Sequence, residues 1–398
     1  MPKSLKYAVA FTALMTLLVA SFAGGVYFDR TRRGVSPFSG SPVETIDTVD
    51  MYDALDEVIG IIEREALEPA NETSITAGAI RGLLEGLGDE HALYFDAQHF
   101  EYFNEQNAGS FFGVGVTISN RDDALVIISV MDGTPADKAG LKAEDIILEI
   151  DGEYRDNWNS DEAVMRIRGE EGTEVTIGVY REGEDEILDF TMKRAKIDVP
   201  NIESEMLADG IGYIRLYSFN EVAEEDIRSA IEKLEGEGAR GFVLDLRDNP
   251  GGLLGESIDV ASLFVADGVI VRVEDREGEG EEYRATGDLA TDAPLVVLIN
   301  GNSASASEIV GGALQDYSRA VLVGEVSFGK GSVQTIEPLS FGGAVKLTIA
   351  HYLTPKGQVI DKKGLTPDIV VEMEPELQSE KDTDTQLQRA IEELKGLL

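Results

Sequence analysis

Three serines stand at alternate positions in the stretch NGNSASASEI, which runs from Asn300 to Ile309. A serine hydroxyl becomes a nucleophile when a neighbouring base takes its proton, so one of these serines is a candidate for covalent catalysis. The same stretch also fits the start of a helix, because Ser305 and Glu308 have the Ser-x-x-Glu spacing of a capping box. The stretch alone leaves both interpretations open.

A base for such a serine must come from a chain that has no cysteine and three histidines. Lys330 is the candidate, because it lies between two glycines in the apolar stretch VSFGKGSVQ. Apolar surroundings lower the pKa of a lysine, and its neutral amine can then accept a proton. The composition therefore favours a Ser-Lys hydrolase, although a solvent-exposed hairpin lysine would have the same sequence.

A third loop has backbone groups that could assist the reaction. Asp245 to Gly252 reads DLRDNPGG, a tight turn whose N–H groups can stabilise an oxyanion, unless it is an ordinary strand-to-helix turn. The three loops follow the apolar strands GFVLDLR, APLVVLIN and AVLVGE. Because the carboxyl ends of parallel strands meet at one edge of a sheet, we expect the loops to converge.

The elements around these loops predict an α/β core over residues 197–371. Strands alternate with helical segments, such as Ala223 to Leu234, which indicates a layered, mainly parallel sheet. We expect AVKLTIAHYL, which begins at Ala344, to supply a further strand. The acidic tail over residues 372–398 ends in a short amphipathic helix, which is expected either to pack on the body or to form a homo-oligomer.

Short strands predict a second domain over residues 104–196. FFGVGVTI, from Phe111 to Ile118, and ALVIISVM each indicate a strand, and GTPADKAGLKAEDIILEIDG resembles the PDZ domains closely. PDZ domains add a peptide C-terminus as a strand and hold its carboxylate in a Gly-rich loop. The matching loop is Phe112-Gly113-Val114-Gly115, although its glycines would also fit a simple strand bend.

The N-terminal part combines an apolar stretch with helical spacing. Tyr7 to Phe28 is uncharged and long enough to cross a bilayer, so residues 1–28 are predicted to be an uncleaved membrane anchor rather than a cleaved signal peptide. Residues 29–44 are predicted to be a linker and residues 45–103 a helical region. The body would then lie outside the cytoplasmic membrane, in the periplasm or the extracellular space, and it would be secreted if the N-terminus were cleaved.

The charge and the metal-binding residue types exclude several functions. A net charge of −41 repels phosphate backbones, so no nucleic-acid partner is expected. His91 and His99 do not have the spacing of a metal-binding pair, and cysteine ligands are absent. We therefore expect neither a metal ion nor another cofactor.

The combined motifs resemble the carboxyl-terminal processing proteases, also called tail-specific proteases. The likeness runs from about Asp47 to the C-terminus and includes AIRGLLEGLGDEHALYF, the PDZ-like region, DLRDNPGG, NGNSASASEI, VSFGKGSVQ and YLTPKGQVIDKKGLTPDI. It implies a layered, crotonase- or ClpP-like α/β protease core with an inserted PDZ domain. Asp89-Glu90-His91-Ala92 departs from the Asp-Pro-x-Ser that is frequent in the family, which puts the local turn in doubt.

The resemblance also implies roles for individual residues. The middle serine, Ser305, is implied as the nucleophile and Lys330 as its base, with Gln334 positioning the lysine amine. The backbone N–H groups of Gly251 and Ala306 are implied as the oxyanion hole.

These implications lead to a membrane-tethered serine endopeptidase. Its PDZ domain would capture proteins or peptides with exposed apolar C-termini, and the dyad would cleave them outside the cytoplasm. Arg168 is a candidate for signalling between the PDZ domain and the protease site, but a solvent-facing residue at a helix end fits its position equally well. A PDZ-type binding protein with an inactive site, or an esterase or amidase with the same dyad, are the alternatives.

Overall fold

The computed structural model describes residues 50–68, 71–121, 124–184, 186–373 and 383–398. The predicted anchor and linker lie outside these ranges. Within the ranges, no helix has both the length and the apolar character needed to cross a membrane. Among the described residues, those up to Ile75 form one compact unit and those from Thr76 onward form a second.

The N-terminal region is mainly helical, as the spacing predicts. Helix α1 is Met51–Glu65, and α2 is Glu72–Glu85. The second unit continues with a short strand, β1 (Leu93–Phe95), and with helix α3 (Ala97–Asn107). The strand was not predicted, because three residues are too few to show an alternating pattern.

The region that resembles a PDZ domain is an antiparallel sheet with two short helices around a buried core. Its elements are β2 (Ser110–Gly113), β3 (Val116–Arg121), β4 (Ala124–Val130), α4 (Pro135–Ala139), β5 (Ile146–Ile150), β6 (Glu153–Tyr154), α5 (Ser160–Ile167), β7 (Glu174–Tyr180), β8 (Leu188–Lys193) and β9 (Ala195–Asp198). Strands β3, β4, β5, β7 and β8 form the sheet in that order, β6 pairs with β5, and β2 pairs with β9 in a separate ribbon.

The stretch FFGVGVTI forms two strands, so its prediction as a single strand is wrong. The chain bends between β2 and β3 at Gly115, which has a φ of 86°. A Cβ atom at this position would lie 2.4 Å from the Cβ of Thr134. Glycine is therefore needed both for the left-handed conformation and for the close approach of the next loop.

The predicted α/β core has two sheets and several covering helices. Its elements are β10 (Ile202–Leu207), β11 (Ile211–Leu216), α6 (Ala223–Gly236), β12 (Gly241–Asp245), α7 (Leu254–Ser262), β13 (Val269–Asp275), β14 (Gly280–Arg284), β15 (Leu295–Ile299), α8 (Ala306–Asp316), β16 (Ala320–Gly324), β17 (Ser332–Pro338), β18 (Ala344–Leu353), β19 (Ile369–Val370) and α9 (Thr385–Leu397).

The larger sheet is mainly parallel, as predicted. Its order is β10-β11-β12-β15-β16-β19, and only the β10–β11 pair is antiparallel. Helices α6, α7 and α8 bury their apolar side chains against one face, and α9 packs on the other face. All five residues of β12 are buried, as a continuous apolar strand requires.

The second sheet is antiparallel, and it contains the strand predicted at AVKLTIAHYL, which is β18. Its order is β1-β18-β13-β14, with β17 also paired to β18. The reason for the antiparallel pairing is a tight turn in which Gly342 and Gly343 have φ values of 98° and 75°, so that β18 folds back directly on β17. A parallel arrangement would need a longer crossover connection.

The turn at Asp89, which departs from the family pattern, is firmly attached to this sheet. The carboxylate of Asp89 accepts hydrogen bonds from the N–H (2.9 Å) and the hydroxyl (3.0 Å) of Thr348 on β18. It also accepts the N–H of His91 at 2.9 Å. Asp89 therefore closes the turn without a proline and brings β1 alongside β18.

Candidate active site

The three serines of NGNSASASEI have different surroundings. Ser303 and Ser307 are fully buried, and their hydroxyl groups donate to the backbone carbonyls of Leu246 (2.8 Å) and Asn249 (2.9 Å). Ser305 is the N-cap of α8 and lines a cavity of about 270 Å³. Of the three hydroxyl groups, that of Ser305 is therefore the one placed to reach a substrate.

The backbone of Ser305 is held in a strained conformation. Its φ and ψ are 54° and −114°, outside the regions that residues with a side chain favour. Such strain costs about 1–3 kcal/mol and persists only where the surroundings impose it. Gly251 packs directly against this residue, because a Cβ atom at Gly251 would lie 2.8 Å from the Cβ of Ser305. The DLRDNPGG loop thus needs glycine here to approach the serine.

Glu308 holds the loops of both predicted catalytic residues. Its carboxylate is fully buried and accepts the N–H groups of Ser305 (2.9 Å), Gly329 (2.7 Å) and Lys330 (2.9 Å). The hydroxyl of Ser327 donates to it at 2.5 Å. Burial raises the pKa of Glu308, and the four donors oppose this increase because they favour the charged form. The capping pattern predicted the contact with Ser305, but not those with the lysine loop.

Lys330 lines the same cavity as Ser305 and is half-buried. Burial lowers the pKa of Lys330, the nearby charge of Lys346 lowers it further, and Glu308 opposes both effects. A lowered pKa leaves more of the amine neutral, as a general base requires. The structure thus brings the predicted nucleophile and the predicted base together.

A tyrosine that the sequence did not point to connects the two loops. Tyr352, on β18, is 2% exposed, and its hydroxyl donates to the backbone carbonyl of Lys330. The side chain of Ser305 lies within hydrogen-bonding reach of the same hydroxyl. Burial raises the pKa of Tyr352 above its ordinary value, so the phenol stays protonated. Its strand was recognised by its apolar pattern, which contains no sign of this contact.

The two N–H groups that are predicted to form the oxyanion hole differ in whether they already have an acceptor. Ala306 lines the cavity, and its N–H has no acceptor among the described residues. The N–H of Gly251 instead donates to the side-chain oxygen of Asn249 at 2.9 Å. Gly252, rather than Gly251, lines the cavity, and its N–H has no acceptor in the described part of the chain. Gly251 can therefore act as a donor only when its bond to Asn249 is released or shared.

Gln334 also lines the cavity, but its side chain has another partner. Its amide donates to the hydroxyl of Ser332 at 2.8 Å, and no hydrogen bond among the described residues joins it to Lys330. The remaining walls are mostly apolar, which suits an apolar substrate side chain: Phe103, Leu253, Leu254, Ile309, Val333 and Ile336. Across the described ranges, no group of three or more histidine and acidic side chains is placed to hold a metal ion.

The predicted carboxylate-binding loop borders a narrow groove on the PDZ domain. Gly113, Val114 and Gly115 line the groove together with apolar side chains of β3 and α5. The N–H groups of Val114 and Gly115 have no acceptor within the described residues, as the capture of a carboxylate requires. Phe112 does not line the groove, and Phe111 does so instead, because side chains alternate along β2.

Arg168 joins the PDZ helix α5 to helix α3. Its guanidinium pairs with the carboxylate of Glu105 at 2.6 Å, and it lies 4.5 Å and 4.3 Å from the ring centres of Tyr102 and Phe111. The Arg168 side chain is 20% exposed, so the interpretation as a solvent-facing helix end is wrong. Because Phe103 lines the active-site cavity, α3 contacts both the PDZ helix and that cavity.

Two family models match the chain. Residues 210–371 match peptidase family S41, and residues 113–192 match the PDZ domain. The first range contains most of the core elements, with Ser305, Lys330 and Gln334. The second range contains the groove-lining loop and helix α5.

Similar proteins cover most of the chain. The carboxy-terminal processing protease CtpA of Bacillus subtilis is 37% identical over 357 residues, which are 87% of this chain and 76% of the relative. A carboxy-terminal-processing protease of Bartonella bacilliformis is 42% identical over 308 residues, 76% of this chain and 70% of the relative. Among solved structures, a photosystem II D1 C-terminal processing protease superposes with a TM-score of 0.50 at 30% identity, and the match covers 85% of this chain and 90% of that one.

Proposed function

The chain belongs to peptidase family S41, as a carboxy-terminal processing serine protease with a PDZ domain, and on this premise we propose that Ser305 and Lys330 are its catalytic dyad. One observation supports the proposal most strongly. The strained N-cap serine of α8 and a half-buried lysine with a lowered pKa line a single cavity. The open N–H of Ala306 lies beside them.

The proposed reaction begins with a proton transfer. The neutral amine of Lys330 takes the proton of the Ser305 hydroxyl while the serine oxygen attacks the substrate carbonyl carbon. The N–H of Ala306, at the positive end of the helix dipole of α8, stabilises the oxyanion, and the N–H of Gly251 joins it once released from Asn249. Gln334 orients the lysine amine after it turns away from Ser332.

The tetrahedral intermediate formed by this attack then breaks down. The two products of cleavage leave one after the other. The protonated amine of Lys330 gives its proton to the leaving nitrogen, and the carbon–nitrogen bond breaks. The acyl group remains on Ser305. A water molecule, deprotonated by Lys330, attacks this ester, and its hydrolysis restores the serine hydroxyl.

The PDZ groove is proposed to capture the C-terminal tail of the substrate. The loop of Gly113, Val114 and Gly115 takes the terminal carboxylate, and the apolar walls of β3 and α5 take the adjoining side chains. A tailed peptide with a free C-terminus should therefore have a KM lower by about tenfold than the same peptide with an amidated C-terminus. Equal KM values for the two peptides would argue against capture through the carboxylate.

Substrates outside the cytoplasm remain a proposal based on the N-terminal sequence. The uncharged stretch Tyr7 to Phe28 is proposed to anchor the protein in the cell membrane, with the protease domain on the outer side. Deletion of residues 1–28 should move the protein from the membrane fraction to the soluble fraction. Equal membrane binding with and without the segment would contradict the anchor.

Cleavage of a peptide with an apolar tail tests the dyad. We expect Ser305→Ala and Lys330→Ala to lower kcat by on the order of 10⁴-fold, because each removes a group that reacts. Ser307→Ala, in the same motif, and Lys356→Ala, an exposed lysine outside the cavity, are the matched controls and should keep most of the activity. Wild-type rates in both dyad variants would overturn the proposal, and hydrolysis of acyl esters without peptide cleavage would indicate an esterase.

A further inference from the structure

A second lysine lines the active-site cavity. Lys346 lies on β18, where it is paired with Ile336 of β17 and with Leu93 of β1. Its side chain is half-buried and borders the same cavity of about 270 Å³ as Ser305 and Lys330. Neither the predicted dyad nor the predicted oxyanion hole gives a role to this cation.

The charge of Lys346 is held in place without being neutralised. Its ammonium lies 5.9 Å from the centre of the Phe95 ring, within reach of a cation–π interaction. No carboxylate of the described residues lies within ion-pair distance of it. Because β1 supplies Phe95 and pairs with β18, the N-terminal region of the second unit fixes the position of this cation.

Other charged and titratable groups face Lys330 from each neighbouring element. Glu308 of α8 accepts the N–H of Lys330, and its negative charge favours the protonated amine. Asp361, in the loop after β18, accepts the N–H of Gly331 at 3.3 Å. Tyr352 is a neutral phenol that donates to the carbonyl of Lys330. Lys346 is the cation among them, and it opposes the effect of Glu308.

We propose that Lys346 is a positioning residue of the active site, whose positive charge in the shared cavity favours the neutral form of the Lys330 amine, the form that can take the proton of Ser305. Two ammonium groups that line one cavity repel each other, and this repulsion favours loss of the proton from Lys330. This inference rests on the proposed role of Lys330 as the base.

This repulsion predicts the direction in which the pH dependence of activity changes when the charge of Lys346 is removed. Loss of the charge in Lys346→Met removes one of the causes that lower the pKa of Lys330. The pKa then rises, and a smaller fraction of the amine is neutral at pH 7. Activity should therefore fall at neutral pH and recover as the pH approaches the new pKa. Lys346→Arg keeps the positive charge and should keep most of the neutral-pH activity.

The first test is the dependence of kcat/KM on pH between about pH 6 and about pH 10. We expect Lys346→Met to lose roughly fivefold to tenfold at pH 7 and to approach the wild type at the alkaline end. Lys346→Arg and the control Lys356→Met should retain the wild-type profile. The same loss at every pH, or a higher KM with an unchanged profile, would overturn the inference, and the second result would assign Lys346 to substrate binding.

The second test measures the amine of Lys330 without catalysis. In a Ser305→Ala background, the lysines are acylated with limiting acetic anhydride over the same pH range, and the acylation of Lys330 is quantified by mass spectrometry. The midpoint of Lys330 acylation should move to higher pH when Lys346→Met is added, and an unchanged midpoint would reject the inference. Failure of the dyad itself would appear separately, as normal peptide cleavage by Lys330→Ala.

Discussion

At the scale of single residues, Glu308 links the two halves of the proposed dyad. One buried carboxylate binds the backbone of Ser305, the backbone of Lys330 and the hydroxyl of Ser327. A charge-assisted acceptor of this kind is stronger than a neutral one. The relative position of the nucleophile and the base therefore depends on a residue that is not expected to contact the substrate.

Replacement of the Glu308 carboxylate by an amide removes the charge of the side chain but nearly keeps its size. In Glu308→Gln, an NH₂ group faces donors that have lost their acceptor, so we expect kcat to fall by about 10–100-fold and stability by about 1–3 kcal/mol. Activity assays and thermal unfolding measure the two effects. The control Glu337→Gln changes an exposed carboxylate at the end of β17 and should change neither. Wild-type kcat in Glu308→Gln would contradict the positioning role.

The residue types of the site could be predicted from the sequence, but their hydrogen bonds could not. Ser305 and Lys330 were identified because a serine needs a base and the family likeness selects one serine and one lysine. Tyr352 and Lys346 reach the cavity through strand pairing in the antiparallel sheet. The sequence predicts such a strand only from its apolar pattern, which does not give its partners. These two residues could therefore be found only in the structure.

At the scale of elements, helix α3 connects the peptide groove to the active-site cavity. Glu105 of α3 pairs with Arg168 at the end of the PDZ helix, and Phe103 of α3 lines the cavity. Arg168 also lines the PDZ groove. A peptide in that groove can therefore change the contacts of Arg168, and through them the position of α3.

The pair of Arg168 and Glu105 should affect how strongly a tail stimulates cleavage. We expect Arg168→Ala to change, by about fivefold or more, the ratio of the cleavage rate of a tailed peptide to that of an untailed peptide. Glu105→Ala should have a similar effect, and the double variant should add little, because both changes remove one interaction. Arg166→Ala, in the same helix but paired with Glu153, is the control. An unchanged ratio in Arg168→Ala would remove this pair from the coupling.

The elements of the parallel sheet were predictable, whereas those of the antiparallel sheet were largely not. Strands buried on both faces, such as β12 and β15, are continuous apolar runs, and these are visible in the sequence. Strands β13 and β14 mix apolar and charged residues, and β1 has three residues. Their pairing is decided by turns and by contacts between distant parts of the chain.

At the scale of the whole molecule, the C-terminal helix is attached to the catalytic core by a buried charge cluster. The guanidinium of Arg247 is 1% exposed and pairs with Asp245 (2.6 Å) and with Asp384 (2.8 Å), the N-cap of α9. Its partner Asp384 is distant in the sequence, so the apolar pattern of α9 left its position open. The structure shows that the helix packs on the body, with Leu387 and Leu394 in the core.

Loss of this arginine should destabilise the core selectively. Arg247→Met leaves two buried carboxylates without a counter-charge, so we expect the free energy of unfolding to fall by about 3–5 kcal/mol. Arg389→Met, which breaks a more exposed pair on α9, should cost less than about 1 kcal/mol. Denaturation followed by circular dichroism measures the loss, and fluorescence of Trp158, the single tryptophan, follows the PDZ domain separately. Equal stability of the two variants would contradict the role of the cluster.

The most direct measurement of the central claim is the trapping of an acyl-enzyme. The full-length protein is mixed with an activated ester of a short apolar peptide, quenched in acid within the first turnover, and digested for mass spectrometry. The dyad predicts the acyl group on the peptide that contains Ser305, and no acylation in Ser305→Ala. It also predicts slower acylation in Lys330→Ala, whereas Ser307→Ala should behave as the wild type. An acyl group on another residue, or hydrolysis in Ser305→Ala at the wild-type rate, would contradict the account.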